Sequence, residues 1–492
     1  MLHSSPLPDI DLPETTLYGA VFGNTAGLDL PAITELDTGR SVTYAELQAR
    51  TLAAAASLAQ RGVGPGSVVV LRQPNSIDFA VGLLGASATG AAVCLIGPTL
   101  VDAEARHLAS LAGATDTVRA SDTSDISADT TAHPLQPAGT PDDVAAIPFS
   151  SGTTGHQKGV LLTHRAITAN AFQFNAALAA SGIGEGTRVA APLPFSHIYG
   201  LNTLLLSSLV ARRHVFTAAR FNLTQFAAAH REHDIELSFI APPLALALAK
   251  TPDLDAGAFA ACRHMVCGAA PLDGELAATV ERRLATTILQ GYGTTESSPV
   301  THVGIAGRSR PSTIGFAVPN TQFRVVDLDS GRALPDGTAG ELQVRGPQLM
   351  RGYVRDPEAT RTSLIDGWLR TGDVARVEED GTVTIVDRAK DIMKYHGFQV
   401  APAELEALLR THPGIEDAAV AAYTRGVGGE AEEVPRAFVV KRNASLSAAE
   451  VMEWVAARVT AYKKVREVTF VDAIPRNAAG KILRRKLQEL PL

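Results

Sequence analysis

Ala145-Ala146-Ile147-Pro148-Phe149-Ser150-Ser151-Gly152-Thr153-Thr154-Gly155-His156-Gln157-Lys158-Gly159-Val160-Leu161-Leu162 is the stretch that decides how this chain folds. A short apolar run reads as a strand entering a loop, and Val160-Leu161-Leu162 leaves it. The segment from His164 to Ala180 then reads as a helix. Between Ser150 and Gly159 stand three glycines, four hydroxyls and one lysine. Glycines let backbone amides turn inward, hydroxyls donate, and the lysine supplies a point charge, a combination that suits an oxyanion such as a nucleotide phosphate. The spacing is not the Walker pattern, because Lys158 is followed by Gly159 and preceded by His156-Gln157. That argues against a P-loop kinase or GTPase. Taken alone, the stretch is equally a surface turn, and the rest of the chain has to decide.

Outward from this loop, apolar runs alternate with segments of helical length. Val68-Val69-Val70-Leu71 is ended by Pro74-Asn75, and Ala91-Ala92-Val93-Cys94-Leu95-Ile96 follows after one helical segment. This βαβ rhythm predicts largely parallel sheets covered by helices. Residues 120–143 read as a polar surface loop. From Gln322 to Val386 the runs Phe323-Arg324-Val325-Val326, Glu341-Leu342-Gln343-Val344 and Val383-Thr384-Ile385-Val386 predict an antiparallel, β-rich region. After Asp387-Arg388 the pattern resets to a small mixed α/β unit.

At 492 residues the chain exceeds what one core usually organises, so more than one domain is expected. A hydrophobic fraction of 46% with 19% charged residues is that of a soluble globular protein, and a net charge of −7 argues against nucleic-acid binding. Cys94, Cys262 and Cys267 follow no metal spacing and cannot all pair, which favours a reduced, cytoplasmic setting. Met1 to Glu14 lacks the basic and apolar regions of a secretory signal. The apolar stretch Ala80–Ile96 is broken by Gly82, Gly85 and Gly90, so no membrane span is expected.

Four further segments carry functional residue types. In Gln290-Gly291-Tyr292-Gly293-Thr294-Thr295-Glu296, two glycines around an aromatic allow a planar base to approach, and the glutamate can hold a hard cation such as Mg²⁺. Its alternative is a tight loop after the strand Thr287-Ile288-Leu289. In Trp368-Leu369-Arg370-Thr371-Gly372-Asp373, a carboxylate after a glycine turn can accept both hydroxyls of a ribose, or merely cap the turn. Asp387-Arg388-Ala389-Lys390-Asp391-Ile392-Met393-Lys394-Tyr395-His396-Gly397-Phe398-Gln399 reads as a hinge with functional groups, or as a solvated linker. Pro475-Arg476-Asn477-Ala478-Ala479-Gly480-Lys481-Ile482-Leu483-Arg484-Arg485 sets a lysine in a glycine loop that could reach a cleft, or cap the following helix.

In this order and spacing the five segments resemble the adenylate-forming superfamily of acyl-CoA synthetases, peptide-synthetase adenylation domains and luciferases. Pro194-Phe195-Ser196-His197-Ile198-Tyr199-Gly200 and the run Lys394 to Glu406 are most similar to 4-coumarate:CoA ligases. The resemblance runs from about Leu7 to the C-terminus. It implies a large N-terminal domain, residues 1–388, built of two α/β subdomains and a β-rich subdomain. A small mobile α+β C-terminal domain, residues 389–492, follows. It also implies two half-reactions: a carboxylate attacks the α-phosphorus of MgATP, and a thiol then displaces AMP. Catalysis of this kind is positioning plus charge neutralisation.

Residue by residue, the resemblance implies that Ser150, Ser151, Gly152, Thr153, Thr154, Gly155 and Lys158 hold the β- and γ-phosphates. Glu296 binds Mg²⁺, and Thr295 contacts the α-phosphate. Tyr292 stacks on adenine between Gly291 and Gly293, with Gly268, Ala269 and Ala270 beside it. Asp373 and Arg388 hold the ribose, and Ile385 and Gly397 complete the cofactor set. Lys481 bridges the carboxylate and α-phosphate. Lys390 is the hinge, Lys394 and Gln399 are active-site groups of the second conformation, and His197 gates the acyl pocket. That pocket is lined by Tyr199, Thr203, Val266, Gly268, Ala269, Gly291, Gly293, Pro299 and Val300. These side chains are small or apolar, which favours a monocarboxylic aromatic or medium-chain acid.

The expected small molecules are therefore a carboxylic acid, ATP, Mg²⁺ and coenzyme A, in a monomer or homodimer. A carrier protein as acceptor, a luciferase-type oxidation and activation of nitrite for diazotisation use the same motifs. Lys463 and Lys464 meet the CoA phosphate or simply end a solvated helix. Two positions depart from the family pattern: Gln157 stands where a proline usually precedes the loop lysine, and Thr294 where methionine is usual.

Overall fold

The computed structural model describes residues 1–118, 122–123, 136–150, 157–389, 391, 393–395, 398–425, 432–476 and 482–490. Among the described residues, two large mixed sheets, one antiparallel sheet and a separate C-terminal layer make up the chain. The first sheet has seven strands. Val68–Leu71, Ala92–Leu95 and Val144–Ile147 run parallel, with Asp116–Thr117 beside the first. Lys158–Thr163 then returns antiparallel to Val144–Ile147 and to Phe149–Ser150, so the glycine-rich loop joins adjacent antiparallel strands. The expected strand–loop–strand–helix order is found, the helix being His164–Ala179 capped by Thr163.

The apolar stretch from Ala80 to Ile96 is the middle of the molecule. It forms most of the helix Ile77–Ala88 and the strand Ala92–Leu95, and nearly every side chain is buried. Its glycines serve packing: a Cβ on Gly85 would come within 2.9 Å of the Ala54 methyl on the helix Tyr44–Gln60. No described helix is long and apolar enough to cross a membrane. Cys94, Cys262 and Cys267 are all free and buried.

The second sheet has nine strands. Thr287–Gly293, His264–Cys267, Leu237–Ile240, Arg188–Ala190, His214–Thr217 and Pro31–Glu35 are mutually parallel. Both edges turn antiparallel, through Val300–Val303 and Phe316–Ala317 at one end and Ser41–Thr43 at the other. Strands buried on both faces read as continuous apolar runs, which explains why the alternation signal is weak here.

The β-rich region from Gln322 onward is an antiparallel sheet as expected, formed by Gln322–Val326, Gly340–Arg345, Trp368–Val377, Leu364–Ile365 and Val383–Arg388. It also recruits Leu2–Ser4 as an edge strand, a pairing across some three hundred residues that local pattern cannot reveal. One continuous core joins these three sheets. The chain after Met393 builds its own core from Met393, Val400, Leu405, Leu409, Val420, Val439 and Val451. This small part contains the hairpin Met393–Tyr395/Phe398–Val400 and the three-stranded sheet Ile415–Arg425, Glu432–Lys441 and Glu467–Phe470. Of the expected loop at 120–143, residues 120–121 and 124–135 lie outside the described set. Asp122 is buried against Arg61 and Ser57.

Candidate active site

Two of the motifs read as turns are strands, for a shared reason. Gly291-Tyr292-Gly293 continues the strand Thr287–Gly293 because its outer side pairs with Val300–Val303, with Tyr292 opposite His302. Gly293 has no alternative residue there: a Cβ would stand 1.7 Å from the Pro299 carbonyl oxygen. Likewise Thr371-Gly372-Asp373 lies inside the ten-residue strand Trp368–Val377, where Gly372 takes φ +69°. Asp373 is thereby set opposite Arg388 in register. A glycine followed by a polar residue has the composition of a turn, but cross-strand pairing overrides it.

The two strands converge on one buried carboxylate. Tyr292 Oη donates to Asp373 Oδ2 at 2.6 Å, and Arg388 Nε lies 2.6 Å from Asp373 Oδ1. Asp373 is 3% exposed, so both oxygens are committed in a dry setting. Burial, then the charge of Asp373, pushes the Tyr292 phenol well up, and it remains a neutral donor. Burial works against the charge of Arg388, but Asp373 and Tyr292 outweigh it and its pKa rises. Ile385, half-buried on the neighbouring strand Val383–Arg388, packs against the main core nearby.

Glu296 sits in the single turn Thr295–Ser297 that follows. Its Oε1 accepts from Tyr353 Oη at 3.0 Å, and its backbone carbonyl accepts from Met350 N at 2.8 Å. The Tyr353 ring lies under Lys158 Nζ, 5.0 Å from the centroid, and Lys158 also pairs with Asp356 at 3.3 Å. Tyr353 and Asp356 thus connect the glycine-loop lysine to the candidate metal carboxylate. Neither was found from the sequence. Gly352–Tyr353 is a two-residue strand on Val160-Leu161, too short to leave a pattern.

Among the described residues no three His, Cys, Asp or Glu side chains gather around one point. A single carboxylate fits Mg²⁺, which takes one or two carboxylates and completes its octahedron with phosphate oxygens and water. Of the phosphate loop, Ser150 and Lys158 are described, paired across the antiparallel strands. The Ser150 hydroxyl is buried without a hydrogen-bond partner, a donor that fits an anion. Ser151, Gly152, Thr153, Thr154 and Gly155 lie outside the described residues.

Two of the candidate acyl-pocket residues, Gly268 and Gly291, stand at the carboxyl ends of the parallel strands His264–Cys267 and Thr287–Gly293, where ligands of open α/β sheets bind. Tyr199 Oη donates to Val266 O at 3.0 Å and lies 3.4 Å from Ile240 O. Its ring occupies the space a side chain on Gly268 would need, since a Cβ there would lie 3.0 Å from Cζ. Ala269 takes φ +72°, a left-handed conformation that costs a non-glycine residue of order 1–3 kcal/mol. It is exposed and Ala270 half-buried. Thr203, Pro299 and Val300 are buried behind this wall. His197 is exposed, and its Nδ1 accepts from Tyr199 N at 3.3 Å.

In the small part, Lys394 and Gln399 are register partners across the hairpin. Lys390, Gly397 and Lys481 lie outside the described residues. Lys463 bonds both carboxylate oxygens of Glu404 at 2.7 Å, so its charge already has a partner. At the join, Arg484 meets Asp391 at 3.1 Å and Glu406 at 2.8 Å, and Asp387 Oδ2 accepts from Ala403 N at 2.8 Å. Burial raises Asp387 to about 6.

Comparison with known proteins agrees with this geometry. The AMP-binding enzyme family matches residues 23–354, and the AMP-binding enzyme C-terminal domain matches residues 404–481. A 4-coumarate–CoA ligase of Pinus taeda is 37% identical over 525 aligned residues, spanning 99% of this chain and 97% of the relative. 4-Coumarate–CoA ligase 3 of Oryza sativa subsp. japonica is also 37% identical, over 99% and 94%. The crystal structure of ATP-bound MatB from Rhodopseudomonas palustris superposes with a TM-score of 0.87 at 26% identity, over 97% of this chain and 99% of that one. The anthranilate CoA ligase AuaEII shares the fold, with a TM-score of 0.84 at 22% identity over 97% and 98%. With a family match over most of its length and relatives alike from end to end, the chain belongs to the AMP-binding enzymes of the adenylate-forming superfamily.

Proposed function

We propose that this enzyme is an AMP-forming acid–CoA ligase that joins a cinnamate-like aromatic acid to coenzyme A through an acyl-adenylate. The observation that carries the reading is the Tyr292–Asp373–Arg388 cluster, with Glu296 four residues along the same segment. In this reading the Tyr292 ring would meet the base, Asp373 and Arg388 the ribose, and Glu296 the metal, in the order of an Mg·ATP molecule. The unpartnered Ser150 hydroxyl and the Lys158 charge support a phosphate end beside them.

In this reading residues 1–388 hold Mg·ATP and the acid, and residues 389–492 supply the mobile groups. Glu296 would hold Mg²⁺, which would supply positive charge to neutralise the phosphates. The chain itself orients: Tyr292 against adenine, Asp373 and Arg388 on the ribose, Thr295 at the α-phosphate and Lys158 on the departing pyrophosphate. Lys481 bridges the acid and the α-phosphate in the first half-reaction. The hinge at Lys390 would then exchange it for the hairpin that carries Lys394 and Gln399. The relatives' activity on 4-coumarate and the small apolar wall of Val266, Gly268, Gly291, Pro299 and Val300 support a flat aromatic acid. A pyrophosphate-release screen over aromatic and aliphatic acids, with and without CoA, tests this. Cinnamate-type acids should give the highest turnover and a CoA thioester. Release with aliphatic acids alone would refute the acid class, and an adenylate that CoA does not discharge would refute the acceptor.

A further inference from the structure

Two buried asparagines outside every motif hold the metal loop from behind. Asn170 lies on the helix His164–Ala179, directly downstream of the strand that starts at Lys158, and Asn202 lies on the π-helical segment Tyr199–Leu206. Both are 1% exposed. Asn170 Nδ2 donates to Val300 O at 2.6 Å, and its Oδ1 accepts from Val300 N at 3.0 Å. One side chain thus satisfies both backbone groups of Val300 as a neighbouring strand would. Asn202 Nδ2 donates to Ser298 O at 2.5 Å and lies 3.1 Å from Ile167 O and 3.4 Å from Asn170 Oδ1.

The segment they grip is an irregular turn between the strand that ends at Gly293 and the one that starts at Val300. Ser298 takes φ +66°, and Ser297 Oγ and Thr294 N both bond the Pro299 carbonyl, at 2.6 and 3.1 Å. Thr295 and Glu296 ride on this turn. Three pieces of the site therefore meet at the asparagine pair: the helix that continues the phosphate-loop strand, the helix that carries Tyr199, and the turn that carries Glu296. Asp373 and Arg388 stand on a different sheet and share none of these bonds.

Resting on the nucleotide-site reading above, we propose that Asn170 and Asn202 are positioning residues that set Glu296 and Thr295 relative to the phosphate loop. Their loss then degrades metal and phosphate placement and leaves the nucleoside end intact. A displaced supporting shell costs a metal site about 10–100-fold in affinity. Misplacement by ~1 Å costs about 100-fold in rate.

The test measures three quantities on the full chain: the Mg²⁺ concentration giving half-maximal ATP binding, the Kd of adenosine, which lacks the α-phosphate assigned to Thr295, and kcat for acid-dependent pyrophosphate release. In Asn170→Ala the Mg²⁺ midpoint should rise at least about 10-fold and kcat fall about 100-fold, with the adenosine Kd unchanged. Asn202→Ser, which keeps a small polar group, carries the same expectation at smaller size and serves if Asn170→Ala does not fold. Leu178→Ala is the control for stability alone. It is fully buried about two turns further along the same helix, and its aliphatic side chain makes no hydrogen bond to either asparagine or to the turn. It should lower the melting temperature without moving the Mg²⁺ midpoint. A wild-type Mg²⁺ response that both asparagine variants retain overturns the brace. Parallel losses of adenosine and Mg²⁺ response in all three variants do the same. A wild type that binds neither AMP nor Mg·ATP overturns the nucleotide-site reading itself, and the brace with it.

Discussion

Replacing Gly293 by alanine separates steric necessity from motif membership within one string. The new Cβ would stand 1.7 Å from the Pro299 carbonyl oxygen and 2.6 Å from its carbon, where 3.0 Å is the shortest contact real Cβ atoms make. The obstacle is backbone, so no rotamer change relieves it, and the strand and the turn must part by more than an ångström. The same carbonyl accepts from Thr294 N and Ser297 Oγ, so the movement strains two hydrogen bonds worth about 1 kcal/mol each. A shift of ~1 Å at Thr295 and Glu296 costs about 100-fold in rate. Gly291→Ala is the matched control. Its Cβ would meet Val266 Cγ1 at 3.5 Å, an ordinary contact, and would narrow the acyl pocket without moving the turn.

Acid-dependent pyrophosphate release is the assay, run over a short series of acids of increasing bulk. Gly293→Ala should lose about 100-fold in kcat/KM for every acid alike. Gly291→Ala should discriminate against the bulkier acids and stay within a few-fold of wild type for the smallest. If Gly293→Ala retained near wild-type turnover, the close approach of Pro299 would not be what constrains the metal loop. Equal behaviour of the two variants would refute the separate roles assigned to Gly291 and Gly293.

Asp373→Asn should weaken AMP binding by about 10–100-fold, since hydrogen bonds to a charged group contribute ~1.5–3 kcal/mol. It also leaves the half-buried Arg388 without its charged partner; calorimetric titration showing unchanged AMP affinity would sink the ribose assignment. Tyr353→Phe removes the donor to Glu296 but keeps the ring under Lys158, so the Mg²⁺ requirement should rise about 10-fold with little change in AMP affinity; an unshifted Mg²⁺ titration counts against it. Burial holds the imidazoles of His164 and His230 down at about 4 and that of His302 at about 3. Neutral in the fold and protonated when unfolded, they contribute stability that is fully present above pH 6.5 and is lost as pH falls toward 4, about 3 kcal/mol each. Asp387, raised by burial to about 6, runs the other way and flattens the slope in part. The urea midpoint should therefore drop between pH 6.5 and 4.5. His164→Asn, which keeps an acceptor for Leu17 N, should take up about one proton fewer on unfolding; an unchanged pH slope would rule His164 out.

Much of this protein is legible along the chain because the information is local. The glycine-rich loop, the buried apolar helix-and-strand from Ala80 to Ile96, the antiparallel pattern after Gln322 and the order of the motifs all follow from residue type and spacing. What misleads are the strings Gly291–Gly293 and Thr371–Asp373. They have the composition of turns and are strands, because partners distant in sequence supply the hydrogen bonds. Leu2–Ser4 joins the antiparallel sheet for the same reason.

The supporting residues are illegible in a deeper way. Tyr353 sits on a two-residue strand, and Asn170 and Asn202 lie on mostly apolar helices where an amide looks like an interruption. Their meaning is in which carbonyl or carboxylate they reach. Residue type and spacing determine that the chain carries a glycine-rich loop with one lysine and, in order after it, the glutamate and aspartate strings that make up the resemblance to adenylate-forming enzymes. Only the tertiary structure decides that Lys158, Tyr353 and Glu296 form one line and that two asparagines grip Val300 and Ser298. Contacts of a few ångströms between segments a hundred residues apart leave no trace in local spacing.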